Sequence, residues 1–208
     1  MSNPLRLRDR KKKETRQSIS NVATRLFVER GFDEVSVDEI AREADVSRKT
    51  VFNYFARKED LVFDREEEAR ALAREAISDR DEQPPVEAFR ALMRRLAETD
   101  HPLFRFDERP IQFWRMVAAS PVLAARVREL QVTLGDDLAG MLADAAGRPS
   151  HDPPARLAAA MLMATLVVAY GDALRAFQEN REPKAALLDV MNRGFAGIDA
   201  ALAGTPYV

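Results

Sequence analysis

The sequence predicts an all-α fold in two parts, a small three-helix head and a longer helical bundle. Three observations carry this. Apolar residues recur at three- and four-residue spacing through most of the 208 residues, the period of a helix with one buried face. Residues 36–58, SVDEIAREADVSRKTVFNYFARK, break that period into two short helices separated by a turn. Further on, prolines at 84–85, 110, 121, 153–154 and 183 divide the chain into helix-sized pieces.

The first helix follows from Ile19, Val22, Ala23, Leu26 and Phe27, which form one apolar stripe, and Gly31 with Phe32 closes it in the manner of a Schellman cap. The second begins at Ser36, three residues before Glu39. A hydroxyl and a carboxylate at that spacing can each accept from the other's backbone amide, closing a capping box. Ile40 and Ala44 share the inner face of this helix. Asp45 falls in the turn, where a short polar side chain tolerates left-handed geometry, Val46 tucks inward, and Ser47 caps a third helix whose inner face is Val51 and Phe55. Its outward residues, Arg48, Lys49, Thr50, Asn53 and Tyr54, are donors suited to base edges and phosphates. This is the pattern of a helix-turn-helix that lays its second helix in the major groove of duplex DNA. Lys58-Glu59-Asp60-Leu61 is then expected to open a long charged fourth helix with an acidic first turn.

The stretch from Glu14 to Val62 resembles the N-terminal domain of the TetR family of bacterial transcriptional regulators. The matching elements are the TRxxI start at Thr15, the LFxxxGF segment ending at Phe32, SVDEIA, VSRKTVFNYF and KEDL. Two positions depart from the family pattern: Asp45 stands where a turn glycine is usual, and Phe52 stands where an aromatic hydroxyl is common. The resemblance implies that Arg48 and Lys49 reach base edges and that Thr50, Tyr54 and Lys58 meet phosphate oxygens, with Ser36 and Ser47 at helix N-termini near the backbone. Ser36 and Ser47 are caps whether or not they touch DNA, Lys58 has the alternative of a solvated lysine, and Phe52 either packs or meets a thymine methyl.

Charge supports this division. The net charge is −2, yet residues 1–60 hold 14 Lys or Arg against 11 Asp or Glu. The excess lies in Arg6, Arg8, Arg10, Lys11, Lys12 and Lys13. Residues 1–13 thus read as a basic arm that follows phosphates or enters a minor groove, or else as a solubilising tail. The resemblance implies that residues 14–62 form the DNA-binding domain and residues 63–208 a helical effector-binding and dimerisation domain.

Other classes find little support. The chain has no cysteine, which removes disulfides, a thiolate nucleophile and a zinc finger and points to the reducing cytoplasm. The N-terminus has no apolar core of a signal peptide, and the longest uncharged stretch, Leu157 to Gly171, is too short to span a bilayer comfortably. The two histidines, His101 and His151, stand in proline-flanked loops without a partner at catalytic or metal-ligand spacing. With no glycine-rich phosphate loop, neither a cofactor nor a metal nor catalysis is expected. A helical enzyme and an effector-independent architectural DNA-binding protein are the two alternatives to a regulator.

In the second part, Pro84-Pro85 opens a helix carrying Phe89, Leu92, Met93 and Leu96. A loop between His101-Pro102 and Arg109-Pro110 leads to the apolar segment Ile111 to Val117. Pro121 opens a long amphipathic helix that ends at Gly147-Arg148-Pro149, and Pro153-Pro154 opens one reaching about Gln178. That helix is apolar all round at its middle and needs cover on every side. The last, from Pro183, sets Leu187, Val190, Met191, Gly194, Phe195 and Ile198 on one stripe, with Gly194 and Gly197 allowing close approach of another helix. The resemblance implies that these last two long helices pair with their copies in a homodimer; the alternative is that they serve only the core of one chain. A symmetric dimer suits a palindromic operator, whose half-sites lie about 34 to 36 Å apart. Residues 109–131 and 161–177 further resemble the TetR subgroup that binds acyl-CoA-like ligands. Phe89, Met93, Phe104, Phe113, Trp114, Met116, Met161, Met163 and Tyr170 are available to line an apolar cavity, with Arg109, Arg115 and Arg175 for an anionic head. Core packing is the alternative for each apolar one.

Overall fold

A computed structural model of the chain describes residues 4–208, and side chains from residue 10 onward. The described residues contain nine α-helices and no strand. They are α1 (Pro4–Arg30), α2 (Val37–Glu43), α3 (Arg48–Tyr54), α4 (Glu66–Ser78), α5 (Pro85–Glu98), α6 (Glu108–Ala119), α7 (Pro121–Ala145), α8 (Pro153–Gln178) and α9 (Pro183–Ala201). Short 3-10 turns lie at Lys58–Leu61 and Pro102–Phe104.

The chain divides into two compact units, residues 1–66 with 112–126, and residues 67–111 with 127–208. The domain boundary expected near residue 63 is therefore incomplete as a description, because the second half of α6 and the start of α7 belong with the head. The expected long helix from Lys58 is also corrected. KEDL is a 3-10 turn, and α4 starts only at Glu66. Asp60 accepts from the amide of Arg57 at 3.0 Å and pairs at 3.0 Å with Arg126 from the start of α7, so the acidic turn serves a local cap and a long-range tie.

In the first unit Ile19, Ala23, Phe27, Ile40, Val51, Phe55 and Leu61 form the buried core. Ser20, also buried, donates to the carbonyl of Leu61 at 3.1 Å, so its burial leaves no unpaired hydroxyl. α1 continues through the basic arm from Pro4. Arg6 and Arg8 lie outside the described side chains, and Lys11, Lys12 and Lys13 are exposed.

The second unit is built round Phe89, Leu92, Leu96, Leu142, Leu162, Leu187, Met191 and Ile198. α8 and α9 pack along their lengths. A Cβ on Gly194 would stand 2.3 Å from Thr165, so glycine there lets α9 approach α8 of the same chain. Phe195 is likewise turned into this core, 3% exposed, under the guanidinium of Arg90 at 5.0 Å. The stripe expected to face a partner helix is taken up largely by the chain's own core instead, with Leu187, Met191, Phe195 and Ile198 buried. Periodicity identifies an apolar stripe but not which helix covers it.

α8 has the opposite arrangement from a typical surface helix. Its buried positions are mostly alanines, Ala155, Ala158, Ala159, Ala169, Ala173 and Ala176, whereas Leu157, Val167 and Val168 are exposed. By length and composition it could cross a membrane, with a mean hydropathy of 1.8 over its most apolar 18 residues, of which 28% are buried. The chain thus covers one side of the helix that its composition says should be covered on all.

Candidate nucleic-acid interface

The helix-turn-helix is assembled from local signals. Ser36 caps α2 with the full capping box: its hydroxyl accepts from the amide of Glu39 at 3.2 Å, and the Glu39 carboxylate accepts from the amide of Ser36 at 2.9 Å. That amide, then Arg30 at 3.0 Å and the Ser36 hydroxyl, pull the Glu39 pKa down to about 2. At its other end, Asp45 takes φ +53°, its amide donates to Arg42, and the Val46 amide donates to Ala41. These two bonds make a Schellman motif with aspartate in the left-handed position that glycine usually fills. The turn geometry therefore survives the family departure, because Asp tolerates that region better than most L-residues.

Ser47 caps α3, its hydroxyl accepting from the amide of Thr50 at 3.0 Å and lying 2.8 Å from the Thr50 hydroxyl. With Val51 and Phe55 in the core, the rest of this seven-residue helix is turned outward. Arg48, Lys49, Phe52 and Asn53 are exposed, and Thr50 and Tyr54 are half-buried. Phe52 is 42% exposed and stacks under Arg48, whose guanidinium lies 5.5 Å from the ring centre, so packing and exposure coexist there. Arg48 also donates to Asp38 of α2 at 2.8 Å, a partner that nothing in the spacing suggested.

Lys58, expected either to meet a phosphate oxygen or to stand as a solvated lysine, is half-buried. Its ammonium donates to the carbonyl of Phe32 and lies 4.2 Å from the centre of the Phe32 ring. Burial pushes its pKa below the ordinary lysine value, against the opposing pull of Asp33, Glu59, Glu34 and Glu39. In this conformation Lys58 ties the turn after α3 to the α1–α2 loop. Arg16 makes a comparable contact from α1, lying 4.3 Å from the centre of the Phe55 ring.

The twelve residues expected to meet an effector fall in both units. Phe113, Trp114, Arg115 and Met116 belong to the first. Phe113 and Trp114 meet edge to face at 5.4 Å, and Phe113 meets Phe63 at 6.1 Å. Arg115 and Met116 line an open groove of about 500 Å³ whose other walls include Phe27, Phe32, Asp33 and Glu34. In the second unit Phe89 and Met93 are buried in the core, with Phe104, Met161 and Met163 packed against it. The Tyr170 ring lies 5.2 Å from Phe106, Arg109 is exposed, and Arg175 pairs with Asp172 at 3.4 Å. His101, expected to lack a partner, stands 3.7 Å from Glu68, and its Nδ1 accepts from the amide of Leu103, capping a 3-10 turn.

The description of the bacterial regulatory proteins of the tetR family matches residues 19–64. Over 49 residues the chain is 49% identical to MftR of Mycobacterium tuberculosis (strain ATCC 25618 / H37Rv), a transcriptional regulator named for mycofactocin biosynthesis; this covers 24% of this chain and 25% of that protein. Over 50 residues it is 42% identical to the HTH-type transcriptional regulator HbdR of Aromatoleum sp. (strain CIB), covering 24% and 22%. The chain thus spans about a quarter of the curated relatives it matches. Among solved structures, FadR of Thermus thermophilus, a TetR-family transcriptional repressor in complex with lauroyl-CoA, is similar across 88% of this chain and 94% of that one, with a TM-score of 0.51 and 29% identity. The sequence of the head thus matches the tetR family of bacterial regulatory proteins, and the chain as a whole is similar in fold to a TetR-family transcriptional repressor.

Proposed function

We propose that the protein is a dimeric, ligand-responsive transcriptional repressor that is released from a palindromic operator by a small amphipathic effector with an anionic head. The observation that carries this reading is the outward face of α3, where Arg48, Lys49 and Asn53 are exposed on a helix anchored by Val51 and Phe55. A guanidinium at the start of that helix can donate two bonds to guanine O6 and N7, whereas Lys49, Thr50 and Tyr54 suit base edges and phosphates. The uncovered apolar stripe of α8, Leu157, Ala160, Ala164, Val167, Val168 and Gly171, supports pairing of the last two helices with a second copy. The complex of FadR with lauroyl-CoA supports an acyl-CoA-like effector. Such an effector acts only through its different affinity for the DNA-competent and DNA-incompetent states, so tight binding alone does not release the operator.

The test is selection of bound duplexes from a random pool, repeated with lauroyl-CoA. A palindromic motif with half-sites one helical turn apart is expected, and its occupancy falls when the acyl-CoA is added. Arg48→Ala relaxes preference at one position of each half-site, by about 1 to 3 kcal/mol. Recovery of a random pool refutes the regulator reading. A motif whose occupancy is indifferent to lauroyl-CoA refutes this effector class.

A further inference from the structure

Arg48 occupies a place where a cation is disfavoured by its own helix. It is the first residue of α3, next to the positive end of the helix dipole, and the first turn of α3 holds no acidic residue. A free arginine side chain also has rotamer entropy that must be surrendered on binding. Two neighbours offset both effects. Asp38, in the first turn of α2, accepts from Arg48 Nη1 at 2.8 Å, and the Phe52 ring, one turn along α3, lies under the guanidinium.

Asp38 is itself held in place. Its helix begins in the Ser36–Glu39 capping box, and Glu39 is tied to Arg30 of α1. The guanidinium is a rigid planar fork with five donors. With one Nη1 proton engaged by Asp38, the Nε–Nη2 edge keeps both of its donors for a bidentate partner. The Asp38 carboxylate also stands on the exposed side of the head, 57% exposed. There it repels phosphate oxygens and base acceptors in any register where Arg48 does not lie between them.

Building on the DNA-binding reading above, we propose that Asp38 is a specificity-determining residue. It holds Arg48 in the posture that reads a guanine, and it penalises duplexes that present no guanine there. It touches no base and acts through Arg48, so it is a positioning residue, and its removal trades selectivity for indiscriminate affinity.

The experiment measures Kd for the full-length protein on its selected duplex, on duplexes substituted at each half-site position, and on a random-sequence duplex. Wild type, Asp38→Asn, Arg48→Ala and the double variant are compared, with circular dichroism to check helical content. Wild type is expected to discriminate at the Arg48 position by about 5- to 150-fold. Asp38→Asn lowers that one ratio at least about threefold, leaves the ratios at other positions unchanged, and strengthens binding to the random duplex. In the Arg48→Ala background, Asp38→Asn changes no ratio. A purely structural role would weaken all duplexes alike, and that outcome overturns the inference, as does an unchanged ratio in Asp38→Asn. If wild type itself prefers no sequence, the DNA-binding reading fails and the inference with it; a wild type that reads its site while Asp38→Asn matches it sinks the inference alone.

Discussion

α3 and α8 both leave one face uncovered, and the chemistry of the two faces is opposite. α3 has seven residues and could not persist alone in water, since a helix this short does not repay its nucleation. It exists because Ser47 caps it and because Val51 and Phe55 are buried, and what remains outside is arginine, lysine, asparagine and an arginine-stacked phenylalanine. α8 has 26 residues, hides alanines and shows leucine and valine. Small residues inside allow α9 to approach closely, and large apolar residues outside await cover. Exposed donors on a rigid short helix suit a hydrated, charged partner such as DNA. Exposed branched aliphatics suit a dry protein surface.

The largest test of this contrast is Val168→Asp on the outer face of α8. The position is 59% exposed within one chain, so the fold should tolerate the change, with helical content retained. In a dimer the carboxylate would be buried without a partner, at a cost of several kcal/mol. Light scattering is expected to give the mass of a monomer, with loss of operator binding. A dimer that persists would place the interface elsewhere. Phe195→Arg, by contrast, is expected to disrupt the chain's own core.

A smaller effect is expected where α8 begins. Tyr207 is buried, and its hydroxyl donates to Asp152, the residue preceding α8, at 2.7 Å. Burial first, and then the Asp152 carboxylate, raise the phenol to about 12 from its ordinary value of 10.0. A raised folded pKa means that this stabilisation is complete below pH 10 and is lost as pH climbs toward 12. Tyr207→Phe should cost roughly 1.5 to 3 kcal/mol, the range for a hydrogen bond to a charged group. The measurement is denaturant unfolding at neutral and alkaline pH, and a difference from wild type that does not shrink between pH 10 and 12 would discount the bond.

The head should respond at the acid end instead. Ser36→Ala removes the cap of α2 and should cost about 1 kcal/mol. Glu39 is depressed to about 2 from 4.5, so its contribution is complete above pH 4.5 and disappears as pH falls toward 2. Thermal melts across that window should show a decline in wild type that Glu39→Gln flattens. Identical profiles would mean that the capping box contributes nothing to the acid sensitivity of the head.

What was legible in the sequence was whatever neighbouring residues settle between themselves. The caps at Ser36 and Ser47, the left-handed Asp45, and the proline starts of α5, α7, α8 and α9 are settled by residues no more than five apart, so composition and spacing suffice. The exposed face of α3 was legible to the same depth, because it follows from which residues the inner face consumes. Tertiary structure decided the rest. It turned Phe195 into the core of its own chain beneath Arg90 of α5, moved the start of α4 from Lys58 to Glu66, drew the first residues of α7 into the head, and closed the C-terminus on Asp152 through Tyr207. It also engaged Lys58 with a carbonyl and Arg48 with Asp38, ten residues away across the turn. A helical period names the face that must be covered and the side chains that carry charge. Which surface covers that face, and which partner a long flexible cation chooses, are set by distances between elements that no local spacing encodes.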